Sequence, residues 1–366
     1  MKYYIIAGEA SGDLHASNLV KALKARDEEA VFRAWGGDMM KDAGVELTKH
    51  IRELAFMGFV EVLMNIRTIL GNIKLCKKDI LQWRPDVLIL VDYPGFNLRI
   101  AKWASQNNIR VVYYISPQIW AWHESRVHQI KKYVDQMLVI LPFEEEFYAR
   151  YNYPVSFVGH PLLDVILEGE NVSDRANDPV KTIALLPGSR RQEIKRILPT
   201  MLATTRRFPE YRFAIACAPA IPDDFYDALL DGFPEVGRYR GSSYTLLNEA
   251  YAALVTSGTA TLETALFGVP QVVCYKGDKL SYLIARRLIT IKYISLVNLI
   301  MDREVVKELI QDEMNEAMLS EELKKLAQPD VRNRIQSDYI LLRKILGNQG
   351  ASGRAADAII QNMPGR

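Results

Sequence analysis

Short apolar runs recur along this chain with helical patterns between them, and that rhythm leaves few folds open. Residues 3–7, 31–35, 86–91, 110–115 and 136–141 are rich in Val, Ile, Leu and Tyr and bounded by turn residues, so they read as strands. Residues 14–26 and 98–106 carry helical spacing between them. Continuous apolar strands alternating with helices argue for an α/β fold built on a doubly wound parallel sheet. A polar stretch over 168–179 breaks the rhythm and suits a linker. Beyond it, residues 182–186, 212–217, 252–256 and 271–275 restart the pattern. The expected organisation is a Rossmann-like domain over 1–167, the linker, a second Rossmann-like domain over 180–319, and helices over 320–366. Those helices would pack back across the domains or reach a second copy in a homodimer. Length agrees, since 366 residues exceed one ordinary core.

Composition removes several function classes. A net charge of +2, with no Lys/Arg cluster interleaved with aromatics, gives no footprint for nucleic acid. Cys76, Cys217 and Cys274 lack metal-like spacing, and an odd scattered set suits a reducing compartment. His15, His50, His123, His128 and His160 also lack ligand spacing, so neither a metal nor another cofactor is expected. The apolar start ends at Glu9, too soon for a signal-peptide core, and no run reaches the roughly 18–20 apolar residues of a spanning helix.

In open parallel sheets, ligands bind at the carboxyl ends of the strands, and two such sheets would share a cleft there. The loops after strands therefore carry the chemistry. Gly8-Glu9-Ala10-Ser11-Gly12-Asp13 departs from G-x-G-x-x-G, which weakens a nicotinamide reading. Its Glu9 and Asp13 can bind hydroxyls or accept a proton; the bland alternative is a turn with Asp13 capping a helix. Asp92 follows the apolar 87–91 run, where partial desolvation would raise its pKa and suit a general base. The alternative is an Asx-turn before the next helix.

In the second half, Leu186-Pro187-Gly188-Ser189-Arg190-Arg191 offers close backbone approach at Gly188 and Ser189, and at Arg190 a forked cation suited to diphosphate. Solvated arginines on a turn are the alternative. Thr256-Ser257-Gly258-Thr259-Ala260-Thr261-Leu262-Glu263 ends a strand and opens a helix. The free amides of Ser257, Gly258 and Thr259 make an anion site there, and Glu263 can grip ribose hydroxyls; simple capping is the alternative. His160 follows a strand over 155–158 and could line the cleft or be structural. No serine sits in G-x-S-x-G, so a hydrolase has no anchor.

Residues 55–70 stand apart. Read as a helix, Glu61, Asn65, Thr68 and Asn72 form one polar stripe, and most of the remaining circumference is apolar. Lys74, Lys77 and Lys78 follow. An interfacial segment receiving acyl chains on Phe56, Met57, Phe59, Val60 and Leu63 is one reading; a helix covered on two sides is the other.

Taken in order, these runs resemble the lipid-A-disaccharide synthase family over nearly the whole chain. Gly8-Glu9-Ala10-Ser11-Gly12-Asp13 and Ser116-Pro117-Gln118-Ile119-Trp120-Ala121-Trp122 are its specific motifs, joined by 56–63, 185–190, 256–263 and 305–309. The resemblance implies a GT-B fold, without a cofactor. It implies transfer of 2,3-diacylglucosamine from its UDP derivative onto 2,3-diacylglucosamine 1-phosphate (lipid X), giving a β(1→6) disaccharide and UDP. It also implies a peripheral place on the inner face of the cytoplasmic membrane. Two departures stand out. Gly95 replaces the second acid of Asp-x-Pro-Asp-Phe-Asn, which leaves Asp92 as the expected base with Asp13 in reserve. Ser295-Leu296-Val297-Asn298 has Val297 for the usual proline and keeps Asn298 for the UDP-sugar site. Rival readings are a UDP-N-acetylglucosamine 2-epimerase and a two-domain sugar-binding receptor.

Overall fold

The computed structural model describes residues 1–53, 66–166, 180–219, 221–278, 282 and 291–363. The candidate acyl-chain residues Phe56, Met57, Phe59, Val60 and Leu63, and the linker, lie outside them. The chain forms two compact units, Met1–Asp164 with Asn348–Arg366, and Val165–Gly347.

The first unit is a seven-stranded sheet ordered β3-β2-β1-β4-β5-β6-β7. Its strands are β1 (Lys2–Ala7), β2 (Val31–Gly36), β3 (Glu46–His50), β4 (Val87–Val91), β5 (Val111–Tyr114), β6 (Gln136–Val139) and β7 (Ser156–Phe157). All pair in parallel. The second unit holds six parallel strands ordered β10-β9-β8-β11-β12-β13. They are β8 (Thr182–Leu186), β9 (Arg212–Cys217), β10 (Gly237–Arg240), β11 (Ala250–Thr256), β12 (Gln271–Tyr275) and β13 (Lys307–Ile310). Central strands are buried along their whole length, as in β4, β8 and β11, because helices cover both faces of a parallel sheet.

Both sheets reverse direction of winding at one place. In the first unit β1 and β4 are neighbours, with Ala7 opposite Val91. In the second, β8 and β11 are neighbours, with Leu186 opposite Val255. The crevice at such a switch point is where this architecture binds ligands. The loops that follow these four strands are the four singled out from sequence.

The terminal residues divide between the units. Helices Glu316–Leu326 and Pro329–Ile345 belong to the second, and Ala351–Gln361 to the first. The Asp164 carboxylate fixes that last helix, accepting the N–H groups of Gly350, Ala351 and Ser352 at 2.6, 3.1 and 2.8 Å. A charge-assisted cap on three free amides is a strong local anchor. Arg26 adds an ion pair to Asp357. Among the described residues, no helix is long and apolar enough to cross a membrane.

Candidate active site

In the first unit, Glu9 follows β1 at the N-cap of the Ala10–Lys24 helix, while Asp92 directly follows β4. The Asp92 backbone is left-handed, φ 45°, and so is that of Tyr93, φ 49°. Such conformations are costly for side-chain-bearing residues and persist only where the surroundings enforce them. Here buried groups do so. Tyr113 Oη donates to the Asp92 carbonyl at 2.6 Å, and Asn97 Nδ2 donates to the same oxygen at 2.7 Å. The Asp92 N–H donates to the Tyr114 carbonyl at 3.2 Å. The Tyr93 ring lies against Gly8, leaving no room for a Cβ there, and stacks on Phe96. The Asp92 carboxyl is thus held on a rigid, strained turn. Burial and the nearby Glu9 charge push its pKa up to about 7, opposed by a hydrogen bond from the Tyr93 N–H.

Asp13 is placed differently. It is buried and accepts three backbone N–H groups, from Gly37 at 2.7 Å, Met39 at 3.1 Å and Met40 at 3.2 Å. It caps a helix, as the bland alternative has it, but the helix is Asp38–Asp42 and not its own. Both of its oxygens are thus occupied by backbone donors.

His15 and His160 are both buried. Burial pushes His15 down to about 4 and His160 to about 3, so both are neutral. His160 Nδ1 accepts the Leu162 N–H at 3.2 Å, a structural bond. The Ser116–Trp122 motif rests on a buried carboxyl, Glu144, which accepts the N–H groups of Ile140 and Leu141 at 3.2 and 2.9 Å. Burial raises Glu144 to about 7, with Ser116 and Trp120 among the groups that hold it lower. Ser116 Oγ also meets Tyr148 Oη at 2.7 Å. That motif builds a scaffold, and Glu144 gave no signal in the sequence beyond its place in a helix first turn.

In the second unit two helix N-termini stand at the switch point, and they differ. At the first, Glu193 reaches back and accepts the Ser189 N–H at 3.2 Å. Ser189 and Arg190 are exposed, and no described residue hydrogen-bonds the Arg190 guanidinium. At the second, the Thr259–Leu266 helix has no side-chain cap, and Gly258, φ 144°, has nothing within 4 Å of where a Cβ would be. One helix end is closed by its own glutamate; the other is open to an anion. Glu263 lies in this helix, half-buried, accepts from Tyr244 Oη at 3.3 Å and is raised by burial.

Ser257 Oγ donates to the Ile294 carbonyl at 2.9 Å. That loop is pinned by buried Glu308, which accepts the N–H groups of Ile294 and Ser295 at 2.9 Å each. Asn298 is fully buried with its amide saturated. Its Oδ1 accepts from Val305 and Val306 N–H, and its Nδ2 donates to the Val306 carbonyl and to Glu308. Among the described residues, no cluster of three or more His, Cys, Asp and Glu is placed to hold a metal ion.

Comparison with known proteins bears on this arrangement. A family model described as lipid-A-disaccharide synthetase matches residues 3–361. The chain belongs to the lipid-A-disaccharide synthase family. The synthase of Syntrophus aciditrophicus is 44% identical over 364 residues, covering 96% of this chain and 95% of that one. The synthase of Trichlorobacter lovleyi is 39% identical over 368 residues, covering 97% and 96%. Membership makes the chain a glycosyltransferase of lipid A biosynthesis. Solved structures agree on the fold, which is GT-B. The UDP-GlcNAc 2-epimerase of Neisseria meningitidis, bound to UDP-GlcNAc, superposes with a TM-score of 0.69 at 14% identity, covering 99% of this chain and 100% of that one. The kitacinnamycin glycotransferase gives 0.67 at 14%, covering 99% of each. At those identities the likeness speaks for the fold alone.

Proposed function

We propose that the chain transfers 2,3-diacylglucosamine from its UDP derivative to 2,3-diacylglucosamine 1-phosphate, with inversion, releasing UDP. The observation that carries the reading is the chemical difference between the two switch points. One offers a carboxyl poised near neutrality, and the other an open helix end beside an exposed arginine. An α-linked donor giving a β-linked product calls for one in-line displacement. Asp92 takes the proton from the attacking 6-hydroxyl, with Glu9 as the charge that keeps Asp92 basic. Arg190 and the amides of Gly258 and Thr259 carry the charge that develops on the departing diphosphate, the Ser257 N–H being taken by the Cys274 carbonyl at 3.3 Å. Glu263 binds the ribose hydroxyls. Asp13, held by backbone N–H groups, and Asn298, held by backbone groups and Glu308, act as scaffold. Every group named lies on one chain, so the proposal requires no second copy.

The test is incubation with both acylated sugars while UDP is followed. Release is expected only when both are present, with a β-linked tetra-acyl product. Epimerisation of UDP-N-acetylglucosamine without acceptor would replace this reading with that of a 2-epimerase.

A lipid-borne acceptor calls for a membrane surface, and the proposal places the chain peripherally on the inner leaflet. The outer face of the Ile66–Trp83 helix supports it. Leu70, Leu75 and Leu81 are 57%, 45% and 50% exposed. Arg67, Lys74 and Lys78 are exposed among them. Aliphatic side chains flanked by cations suit anionic headgroups, at about 1 kcal/mol per basic residue. Replacing both Lys74 and Lys78 by Glu is expected to cut co-sedimentation with anionic vesicles by about tenfold or more. Unchanged sedimentation would remove this face from the proposal.

A further inference from the structure

Glu193 has a role that the loops read singly do not disclose. It sits in the first turn of the Arg191–Thr205 helix, half-buried. One carboxylate oxygen, Oε2, accepts the Ser189 N–H at 3.2 Å. The other, Oε1, accepts from Thr256 Oγ1 at 3.2 Å. Gly188, φ 114°, packs on this carboxylate, and a Cβ there would push the Glu193 side chain out of place. The backbone at Ser189 is therefore tied, through one side chain, to the last residue of β11. Ser189 precedes Arg190, and Thr256 precedes Ser257 and Gly258 at the open helix end. These two loops follow neighbouring strands, so their separation at the strand ends is set by what bridges them. Burial raises the Glu193 carboxyl while the Arg190 charge opposes that rise.

We propose that Glu193 is a positioning residue for the donor: by bridging Ser189 and Thr256 it sets where Arg190 stands relative to the free amides of Gly258 and Thr259. Both halves of the diphosphate clamp are held at one spacing by this carboxylate, which itself touches no substrate. The inference rests on the UDP site proposed above. A self-bonded loop amide also explains why the clamp relies on the arginine side chain at one helix end and on backbone amides at the other.

The experiment measures UDP binding by calorimetry and steady-state kinetics for Glu193→Ala, Glu193→Gln, Thr256→Val, Glu193→Ala with Thr256→Val, and Arg190→Ala. Removing the bridge should weaken UDP and raise the donor KM by about tenfold or more, while the acceptor KM moves less than about threefold. Glutamine still accepts the Ser189 N–H and can donate to the Thr256 hydroxyl, so Glu193→Gln should stay within about threefold of wild type. The double variant should bind UDP no worse than Glu193→Ala alone, because both changes cut one link. A merely structural role would shift urea midpoints and all kinetic constants together. The proposal is overturned if Glu193→Ala binds UDP as well as wild type or better while Arg190→Ala binds it poorly. It also falls if the effects of Glu193→Ala and Thr256→Val add in full. Should Glu193→Ala fail to fold, the comparison of Thr256→Val with Glu193→Gln decides: loss in the first and retention in the second supports the bridge, and any other pairing overturns it. If Arg190→Ala leaves UDP binding untouched, the UDP-site reading itself is wrong and this inference goes with it.

Discussion

Replacing Asp92 by Asn lowers turnover by about 10²- to 10⁴-fold, the range for losing a positioned general base. The amide keeps the shape of the turn, so donor affinity should be unchanged. Wild-type kcat/KM should rise with pH along an acid limb near 7, where the Asp92 carboxyl loses its proton. Glu9→Gln should move that limb to lower pH, since the Glu9 charge is one of the two causes of the rise. Stability supplies an independent sign. The Asp92 carboxyl titrates near 3.8 when unfolded and about 7 when folded, so between those values the native state binds more protons. Its contribution is fully present below the lower value and is lost as pH rises through the window. Asp92→Asn should thus be more stable than wild type above pH 7, by at most about 4 kcal/mol, with the gain vanishing below pH 4. Turnover within about threefold of wild type, or an acid limb still near 7 in the Glu9 variant, would remove Asp92 or its partner from the mechanism.

A catalytic group gaining stability when neutralised is the expected signature of a functional carboxyl. Its desolvation and its left-handed backbone both oppose folding, and the buried Tyr113 and Asn97 offset them by fixing the Asp92 carbonyl. That support shows why the Asp-x-Pro-x-Phe-Asn run works as a unit even with Gly95 in place of a second acid. Gly95 is exposed, with nothing near it. Asn97, by contrast, is buried beneath the turn.

Central strands announced themselves, since β1, β4, β8 and β11 are apolar but for an end residue in three of them and are buried almost throughout. Three strands left no such mark. β3, β10 and β13 are sheet edges, with half their pairing and mixed burial, so their residues are as polar as loop residues. The Val305–Leu309 run was visible as a motif, yet its service as an edge strand carrying Glu308 inward was not. Positions at strand ends were legible: Asp92, Arg190 and residues 257–259 fall at the two switch points because topology puts them there. What sequence could not supply is which polar groups are already spent. Asp13 and Asn298 look available in one dimension; their partners, Gly37 to Met40 and Val305 to Glu308, become neighbours only on folding. Glu193 was hidden for the converse reason. It reads as an ordinary first-turn acid at a helix start, and only the pairing of β8 with β11 brings Thr256 to it.

Arg190→Ala should be the most damaging change in the second unit, with kcat reduced by about 10²- to 10³-fold, as for removal of one preorganised donor facing developing charge. The argument is electrostatic. UDP leaves with charge on its β-phosphate, and an open helix end supplies only about half a positive charge in fixed dipoles. A full cation is needed beside it, and Arg190 is exposed at the same switch point with no described hydrogen-bond partner for its guanidinium. Arg191 is a poor substitute because its guanidinium lies over the Phe225 ring, at 5.2 Å from the centroid. Arg190→Lys should recover part of the loss, restoring charge without the bidentate fork. The split between kinetic constants discriminates further. A group that only anchors the ground state would raise the donor KM and spare kcat, whereas one that meets charge formed during departure lowers kcat itself. A donor carrying a better leaving group should narrow the gap between wild type and Arg190→Ala, since less charge then needs stabilising. If the gap stays constant across leaving groups, Arg190 binds the donor without assisting its departure.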